Sequence, residues 1–213
     1  MYNIAIKEDS DIVICDMMDY YEDGTTIAHN CTKYDSVYKV TPSACNKIFK
    51  NTLIKEIRFL DGLWYEDLNF TTKMLLKEPR ISTISGLYYN CNVRNNSIMN
   101  NENSIKNLDI IKVIEDLKNY AKENKIYKEN IFKYLIFDHI LITTINRVSK
   151  QKSKDKKKVI KELRKYCKLN LKDYKKQEFY KNIPNNRKII ANLNYYGFHN
   201  SSKMLLNMKS KIN

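Results

Sequence analysis

Asp11-Ile12-Val13-Ile14-Cys15-Asp16 is the stretch on which the fold turns. Its apolar run, rich in β-branched residues, suits a strand covered on both faces, because alternation disappears only where neither face meets water. Such a strand needs neighbours on both edges. Residues 2–9 before it read as the tail of a helix, and a helix leading into a buried strand is how an α/β layer begins. Met17 to Tyr21 prolongs the strand to a turn signal at Glu22-Asp23-Gly24, after which residues 25–31 are expected to return as a hairpin.

Further along, Thr41-Pro42 pairs a capping residue with a proline at the first helical position, which predicts a helix over residues 43–50. A second short helix is expected from Asn51-Thr52 to Glu56. Gly62-Leu63-Trp64-Tyr65-Glu66-Asp67-Leu68-Asn69-Phe70 then runs an aromatic pair into two adjacent carboxylates. Leu68, Thr71, Leu75 and Leu76 follow at helical spacing, so Glu66 and Asp67 fall in the first turn of a helix that Pro79 stops. Carboxylates are stable there because they face unpaired N–H groups and the positive end of the helix dipole, and capping alone accounts for them. Residues 80–84 and 87–93 read as two strands parted by Ser85-Gly86. Arg94-Asn95-Asn96-Ser97 reads as a polar loop, and residues 100–104 as a boundary.

Beyond that boundary the apolar period becomes helical. Leu108, Ile111, Ile114, Leu117, Tyr120 and Ala121 form one stripe, and Ile131, Leu135, Phe137, Ile140, Leu141, Ile145 and Val148 form a broader one suited to the centre of a small bundle. Lys150 to Lys158 is a solvated charge run leading into a helix over residues 159–169, with further helices expected over 185–194 and 201–210. The balance of charge shifts at the same place. Residues 1–102 hold 11 Lys/Arg and 14 Asp/Glu, net −3, whereas residues 103–213 hold 27 and 10, net +17. The expected organisation is therefore an α/β domain over 1–102 and a basic α-helical region over 103–213.

Composition removes several function classes. Four Gly and three Pro are too few for a many-turned all-β fold. Five scattered cysteines contain no C-x-x-C pair and three distant histidines no H-x-x-x-H pair, so zinc and dithiol chemistry lack their motifs, and the thiols read as reduced in the cytoplasm. Lys7, Glu8, Asp9 and Asp11 sit where a secretory signal needs an apolar core. The longest greasy run, Leu135 to Ile145, is broken by Asp138-His139 and is shorter than the about 20 residues that span a bilayer.

Ser43-Ala44-Cys45-Asn46-Lys47-Ile48-Phe49-Lys50, Ile57-Arg58-Phe59, Tyr65-Glu66-Asp67, Leu87-Tyr88-Tyr89 and Arg94-Asn95-Asn96-Ser97 occur in this order. In these motifs the chain resembles the second half of bacterial family 2 glycosyltransferases of the GT-A fold, of the type that builds capsule and lipopolysaccharide sugars. The resemblance covers residues 1 to about 100 and implies a partial GT-A-like mixed sheet with flanking helices. It implies transfer of a sugar from a nucleotide-sugar donor to a glycan or lipid-linked acceptor, usually with inversion and with Mn²⁺ or Mg²⁺. Asp67 would then be the base that takes the acceptor hydroxyl's proton, with Glu66 orienting it or the acceptor. Trp64 and Tyr65 would offer flat faces to a sugar ring, with core packing as their other reading. Asn46 and Lys47 match the family's paired residues, and Lys47 would either neutralise phosphate or position the helix that starts at Glu66. Arg94 and Ser97 would contact the leaving diphosphate.

The family's nucleotide-binding half, ending in the metal-holding Asp-x-Asp, is not found in this sequence. Asp9-Ser10-Asp11 imitates that motif but precedes its strand, whereas ligands gather at a strand's carboxyl end, so no metal site is assigned. Either the chain is a truncated transferase, or its true start lies upstream, or a separate chain supplies the donor half. The basic region allows three readings: a solvated surface, peripheral contact with an anionic inner membrane face, and, without aromatic interleaving or a recognised motif, nucleic acid last. From another class, a non-catalytic basic scaffold for acidic polymers or membrane surfaces fits the same charge.

Overall fold

The computed structural model describes residues 1–34, 37–94 and 103–209. The chain divides into two compact units, Met1–Asn101 with Asn119–Ile126, and Glu102–Lys118 with Tyr127–Asn213. The division does not follow the charge shift alone, since residues 119–126 belong with the first unit.

In the first unit, helix α1 (Tyr2–Lys7) leads into strand β1 (Ile12–Tyr21). Ile12, Val13, Ile14 and Cys15 are at most 1% exposed, as their continuous apolar run demands. β1 has partners on both edges. Strand β2 (Thr26–His29) pairs antiparallel with its second half, Met17↔His29 to Tyr20↔Thr26, and strand β3 (Lys47–Phe49) pairs antiparallel with its first half. Strand β4 (Ile81–Val93) runs parallel along β1, from Ile12↔Ile81 to Tyr21↔Val93. The sheet is thus small, open and mixed, and the described chain is α/β.

Helices α2 (Asn51–Ile54) and α3 (Glu66–Leu76) flank the sheet. α3 sets Phe70, Met74 and Leu75 into a core with Ile12, Ile14, Cys31, Val40 and Ile57. The Phe70 ring stacks on Phe59 at 4.1 Å and meets Phe49 edge-on at 5.4 Å. Burying side chains of this size contributes on the order of 1.5–3 kcal/mol each, so α3 is fixed to the sheet before any site chemistry is considered. Tyr65, at the N-cap of α3, has φ +70. The chain therefore turns sharply as it enters the helix.

Two sequence expectations are corrected here. Residues 43–50 are not a helix: β3 takes Lys47–Phe49, and the segment before it is irregular. The edge of β1 needs hydrogen-bond partners, and Asn46 supplies them by accepting from the Cys15 N–H at 3.0 Å and donating its Nδ2 to the Cys15 carbonyl at 2.7 Å. Tertiary pairing thereby overrides the cap signal at Thr41-Pro42. Nor do residues 80–84 and 87–93 form two strands. β4 is continuous, with the register jumping from Cys15↔Ile84 to Asp16↔Leu87 and again to Met17↔Tyr89. Ser85-Gly86 is a bulge, and Gly86 has φ +142, where a Cβ would lie 2.6 Å from the Tyr88 ring. Only glycine adopts that backbone without strain.

The regular secondary structure among the second unit's described residues is all helical. Its central rod is α5 (Glu129–Leu135), a π-helical stretch (Ile136–Thr144) and α6 (Ile145–Lys150), with Phe132, Leu135, Ile136, Phe137, Ile140, Leu141, Ile145 and Val148 essentially covered. α7 (Lys156–Asn170), α9 (Asn185–Tyr196) and α10 (His199–Lys209) pack on this rod, and the single turn α8 (Glu178–Lys181) packs on α5. The wide turns alter backbone pairing. Asn194 on α9 donates its Nδ2 to the Leu141 carbonyl at 2.8 Å, and Thr144 Oγ1 donates to the His139 carbonyl at 2.6 Å. Arg187 pairs with Asp138 on the same stretch. Helix α4 (Asp109–Glu123), whose residues from Asn119 on belong to the first unit, buries Ile110, Val113, Ile114, Leu117 and Ala121. That face is turned from the expected stripe, leaving Leu108 and Ile111 half-buried. Among the described residues no helix is long and apolar enough to cross a membrane.

Candidate active site

Asp67 stands at the second position of α3, in the first turn together with Glu66. It is half-buried, and its carboxylate accepts the backbone N–H of Ala44. Burial and then the Glu66 charge push its pKa above the ordinary carboxylate value, and together they outweigh the Ala44 hydrogen bond and the charge of Lys47. A carboxylate held in this way accepts a proton more readily than one in water, which is what a general base requires.

Lys47 is 6% exposed. Its ammonium donates to the Thr41 carbonyl at 2.7 Å, the Ser43 carbonyl at 2.5 Å and Asn46 Oδ1 at 2.8 Å. Burial draws its pKa down to about 8, against the opposing pull of Cys31, Asp67, Cys15 and Cys45. An ammonium has three donors, and all three are engaged. The contact with a donor diphosphate expected of Lys47 is therefore corrected: it clasps the loop over residues 41–46, and that loop carries the N–H that meets Asp67. Asn46, fully buried between Cys15 and Lys47, is likewise a brace and has no surface to offer a phosphate. Thr71 Oγ1 on α3 donates to the Pro42 carbonyl at 2.8 Å and ties the same loop to the helix.

Trp64 is 8% exposed, so the ring-stacking role expected of it gives way to core packing. Tyr65 is half-buried at the turn into α3, next in sequence to the two carboxylates. Arg94 is exposed just past the end of β4. It follows Val93, the last residue of β4. Ser97 lies outside the described residues.

Two residues of this region escaped the sequence reading. Alternation along β4 exposes Tyr88 and turns Tyr89 inward, where its hydroxyl shares a hydrogen bond with the Cys45 side chain. That bond, then burial, then the charges of Cys45, Cys91 and Asp67 push the phenol up to about 12. Strand periodicity was the available signal. Asp16, 8% exposed, accepts the N–H groups of Cys31 at 2.8 Å and Thr32 at 3.1 Å on one oxygen and that of Gly86 at 3.2 Å on the other. Burial raises its pKa, but these bonds and one from the Thr32 side chain prevail, leaving it below the ordinary value. Asp16 pins the bulge of β4 and the chain after β2 to β1, and its partners are too distant in sequence to be read from spacing.

The Asp-x-Asp look-alike does not suit the divalent metal implied by the resemblance. Asp9 meets Arg80 at 2.6 Å and Lys50 at 3.4 Å, and Asp11 meets Lys50 at 3.5 Å and Arg80 at 3.6 Å. Both carboxylates of the Asp-x-Asp look-alike are thus engaged by cations. Among the described residues no three His, Cys, Asp or Glu side chains gather as a metal site would require. No family model matches the chain, and no curated protein matches it.

Proposed function

We propose that the first unit is the acceptor side of a family 2, GT-A-type glycosyltransferase acting in the cytoplasm, with Asp67 as its base. The observation that carries this reading is a half-buried carboxylate of raised pKa at the start of α3, held by the Ala44 N–H and faced by a buried lysine, within the ordered motifs on which the resemblance rests. In the proposed step an acceptor hydroxyl of a glycan or lipid-linked sugar attacks the anomeric carbon of a nucleotide-sugar. The bond to the nucleoside diphosphate breaks, and the hydroxyl proton passes to Asp67. Glu66 keeps that carboxylate basic, Tyr65 borders the acceptor, and Lys47 with Asn46 fixes the loop that orients Asp67. The donor is held by a nucleotide-binding half supplied in the same polypeptide or by a second chain.

The test is release of nucleoside diphosphate from a panel of nucleotide-sugars with Mn²⁺ and candidate glycan acceptors. Asp67→Asn should lower turnover by about 10²–10⁴-fold with unchanged circular dichroism. Equal turnover in that variant would remove Asp67 from the reaction. The net +17 of residues 103–213 favours a second reading, a non-catalytic scaffold for anionic polymers or membranes, and a chain that neither binds nor hydrolyses any donor would support it.

A further inference from the structure

One side of α7 packs inward through Val159, Ile160, Leu163 and Cys167. The other side shows lysine. Lys157, Lys161, Lys165 and Lys168 are exposed at spacings of four, four and three residues, which a helix gathers into one arc; Lys158 broadens it, and exposed Lys172 follows just past the end of the helix. Neighbours at these spacings stand about 5–6 Å apart at Cβ, so their like charges repel. Among the described residues none of these six lysines has a carboxylate within ion-pair distance. The contrast lies in the same unit: on α4, Lys112 pairs with Asp109 at 3.3 Å and Lys118 with Glu115 at 2.8 Å. On α4 lysines and carboxylates alternate; on this side of α7 they do not.

Apolar groups border the arc. At 100° per residue Leu169 lies at one margin and Arg164 at the other. Leu169 is 64% exposed. The Arg164 guanidinium donates to the Asn194 and Tyr195 carbonyls at 3.0 and 3.2 Å, and it lies so close to Gly197 that a Cβ there would be 2.8 Å from Nη2. This contact sets the backbone around Gly197 beside Arg164 at that margin, and the flanking Tyr196 and Phe198 are 60% and 62% exposed. Lys175 Nζ sits 5.5 Å from the centre of the Tyr196 ring.

We propose that this side of α7, with Leu169, Tyr196 and Phe198 at its margins, docks on a membrane surface of anionic phospholipid. The lysines supply attraction to the headgroups, and the marginal side chains enter the boundary with the acyl chains. Nucleic acid offers the same phosphate charge and could stack on the rings, but it has no hydrocarbon to receive Leu169. The docking rests on this unit's own surface and is independent of any reaction at Asp67.

The test is co-sedimentation of the full chain with vesicles of phosphatidylcholine containing phosphatidylglycerol, against vesicles of phosphatidylcholine alone. Lys161→Gln/Lys165→Gln/Lys168→Gln should lower partitioning on the order of a hundred-fold, whereas Lys7→Gln/Lys33→Gln/Lys55→Gln, an equal loss of charge elsewhere, should change it only a few-fold. Leu169→Ser/Phe198→Ser should weaken vesicle binding about ten-fold and leave retention on single-stranded DNA unchanged. All five replaced side chains, four on α7 and Phe198 between α9 and α10, are exposed, so circular dichroism should be preserved. The proposal is overturned if the two lysine triples behave alike, if neutral vesicles bind equally well, or if the Leu169/Phe198 variant loses no vesicle binding, which would mark a general polyanion face.

Discussion

Replacing Asp16 tests the account of how the first unit is held together. Its carboxylate receives three backbone N–H groups, from Cys31, Thr32 and Gly86, at 2.8 to 3.2 Å in a position only 8% exposed. A buried donor left without its acceptor costs about 1–3 kcal/mol. Water can reach the half-buried Thr32 and Gly86 in part, so Asp16→Ala should cost about 3–5 kcal/mol, a large share of a typical stability of about 5–15 kcal/mol. Asp16→Asn keeps one oxygen for Cys31 and Thr32 but sets an amide donor against the Gly86 N–H and removes the charge, so about 2 kcal/mol is expected. Trp64, the chain's one tryptophan, is buried in the same unit, and its fluorescence during urea unfolding reports on that unit by itself. The sign with pH follows from the lowered pKa of Asp16. Its stabilisation is complete above the unfolded value of about 3.9 and is lost as pH falls through the lower folded value. The stability gap between wild type and Asp16→Asn should therefore be constant at neutral pH and close below about pH 4. A gap under about 0.5 kcal/mol at pH 7, or one that does not narrow in acid, would refute the anchoring role.

Lys47→Met should cost about 2–4 kcal/mol, because the Thr41 and Ser43 carbonyls and Asn46 Oδ1 lose their donor. Its ammonium titrates at about 8 when folded and at about 10.4 when unfolded. The folded state therefore binds fewer protons between those values, and the contribution of Lys47 makes wild-type stability rise with pH across that window, a rise the variant should lack. Asp67→Asn should instead stabilise the first unit at neutral pH, since folding disfavours the ionised carboxylate; a variant that melts lower would contradict its surroundings. Gly86→Ala should cost about 1–3 kcal/mol from the φ of +142, with Tyr88 free to swing aside because it is exposed. Arg187→Ala, which strands the mostly covered Asp138 on the π-helical stretch, should lower the melting temperature of the second unit by several degrees, about 1–3 kcal/mol.

What the sequence revealed and what it hid divide along a physical line. β1 was legible because a strand covered on both faces must be continuously apolar, and Ile12 to Cys15 carries that requirement in its own side chains. α3 was legible because its apolar spacing, first-turn carboxylates and following Pro79 are all local. β3 was hidden: Lys47–Phe49 is a strand only because the edge of β1 lies beside it, while Thr41-Pro42 offers a stronger local signal for helix. The bulge in β4 was hidden for the same reason, since a register is a relation between two strands and Ser85-Gly86 alone looks like a turn. The π-helical stretch was hidden because Ile136–Thr144 keeps an ordinary apolar helical composition, and its widened pairing is met from α9 by Asn194. At the candidate site, Asp67 could be chosen from its motif. The tasks of Asn46, Lys47 and Asp16 could not, because each acts through backbone groups distant in sequence or within an irregular loop.

The two aspartates of the first unit carry the argument about function furthest. Burial pushes the pKa of both upward, yet that of Asp16 falls while that of Asp67 rises. The difference lies in what surrounds each carboxylate. Asp16 is met by three N–H groups and a hydroxyl, so the fold stabilises its charge and relies on it; such a residue is part of the framework. Asp67 is met by one N–H and a lysine engaged elsewhere, with a second carboxylate beside it, so the fold leaves its charge under-stabilised and a proton or hydroxyl donor would relieve it. Helix capping does not require that arrangement, because Glu66 alone already complements the dipole of α3. In the proposed reading, a carboxylate kept basic at the start of a helix, with its loop clamped by a buried lysine, is there to receive a hydrogen-bonding partner. An acceptor hydroxyl is the partner that the proposed transfer supplies, and stabilisation by Asp67→Asn together with loss of turnover would be the joint signature of that role.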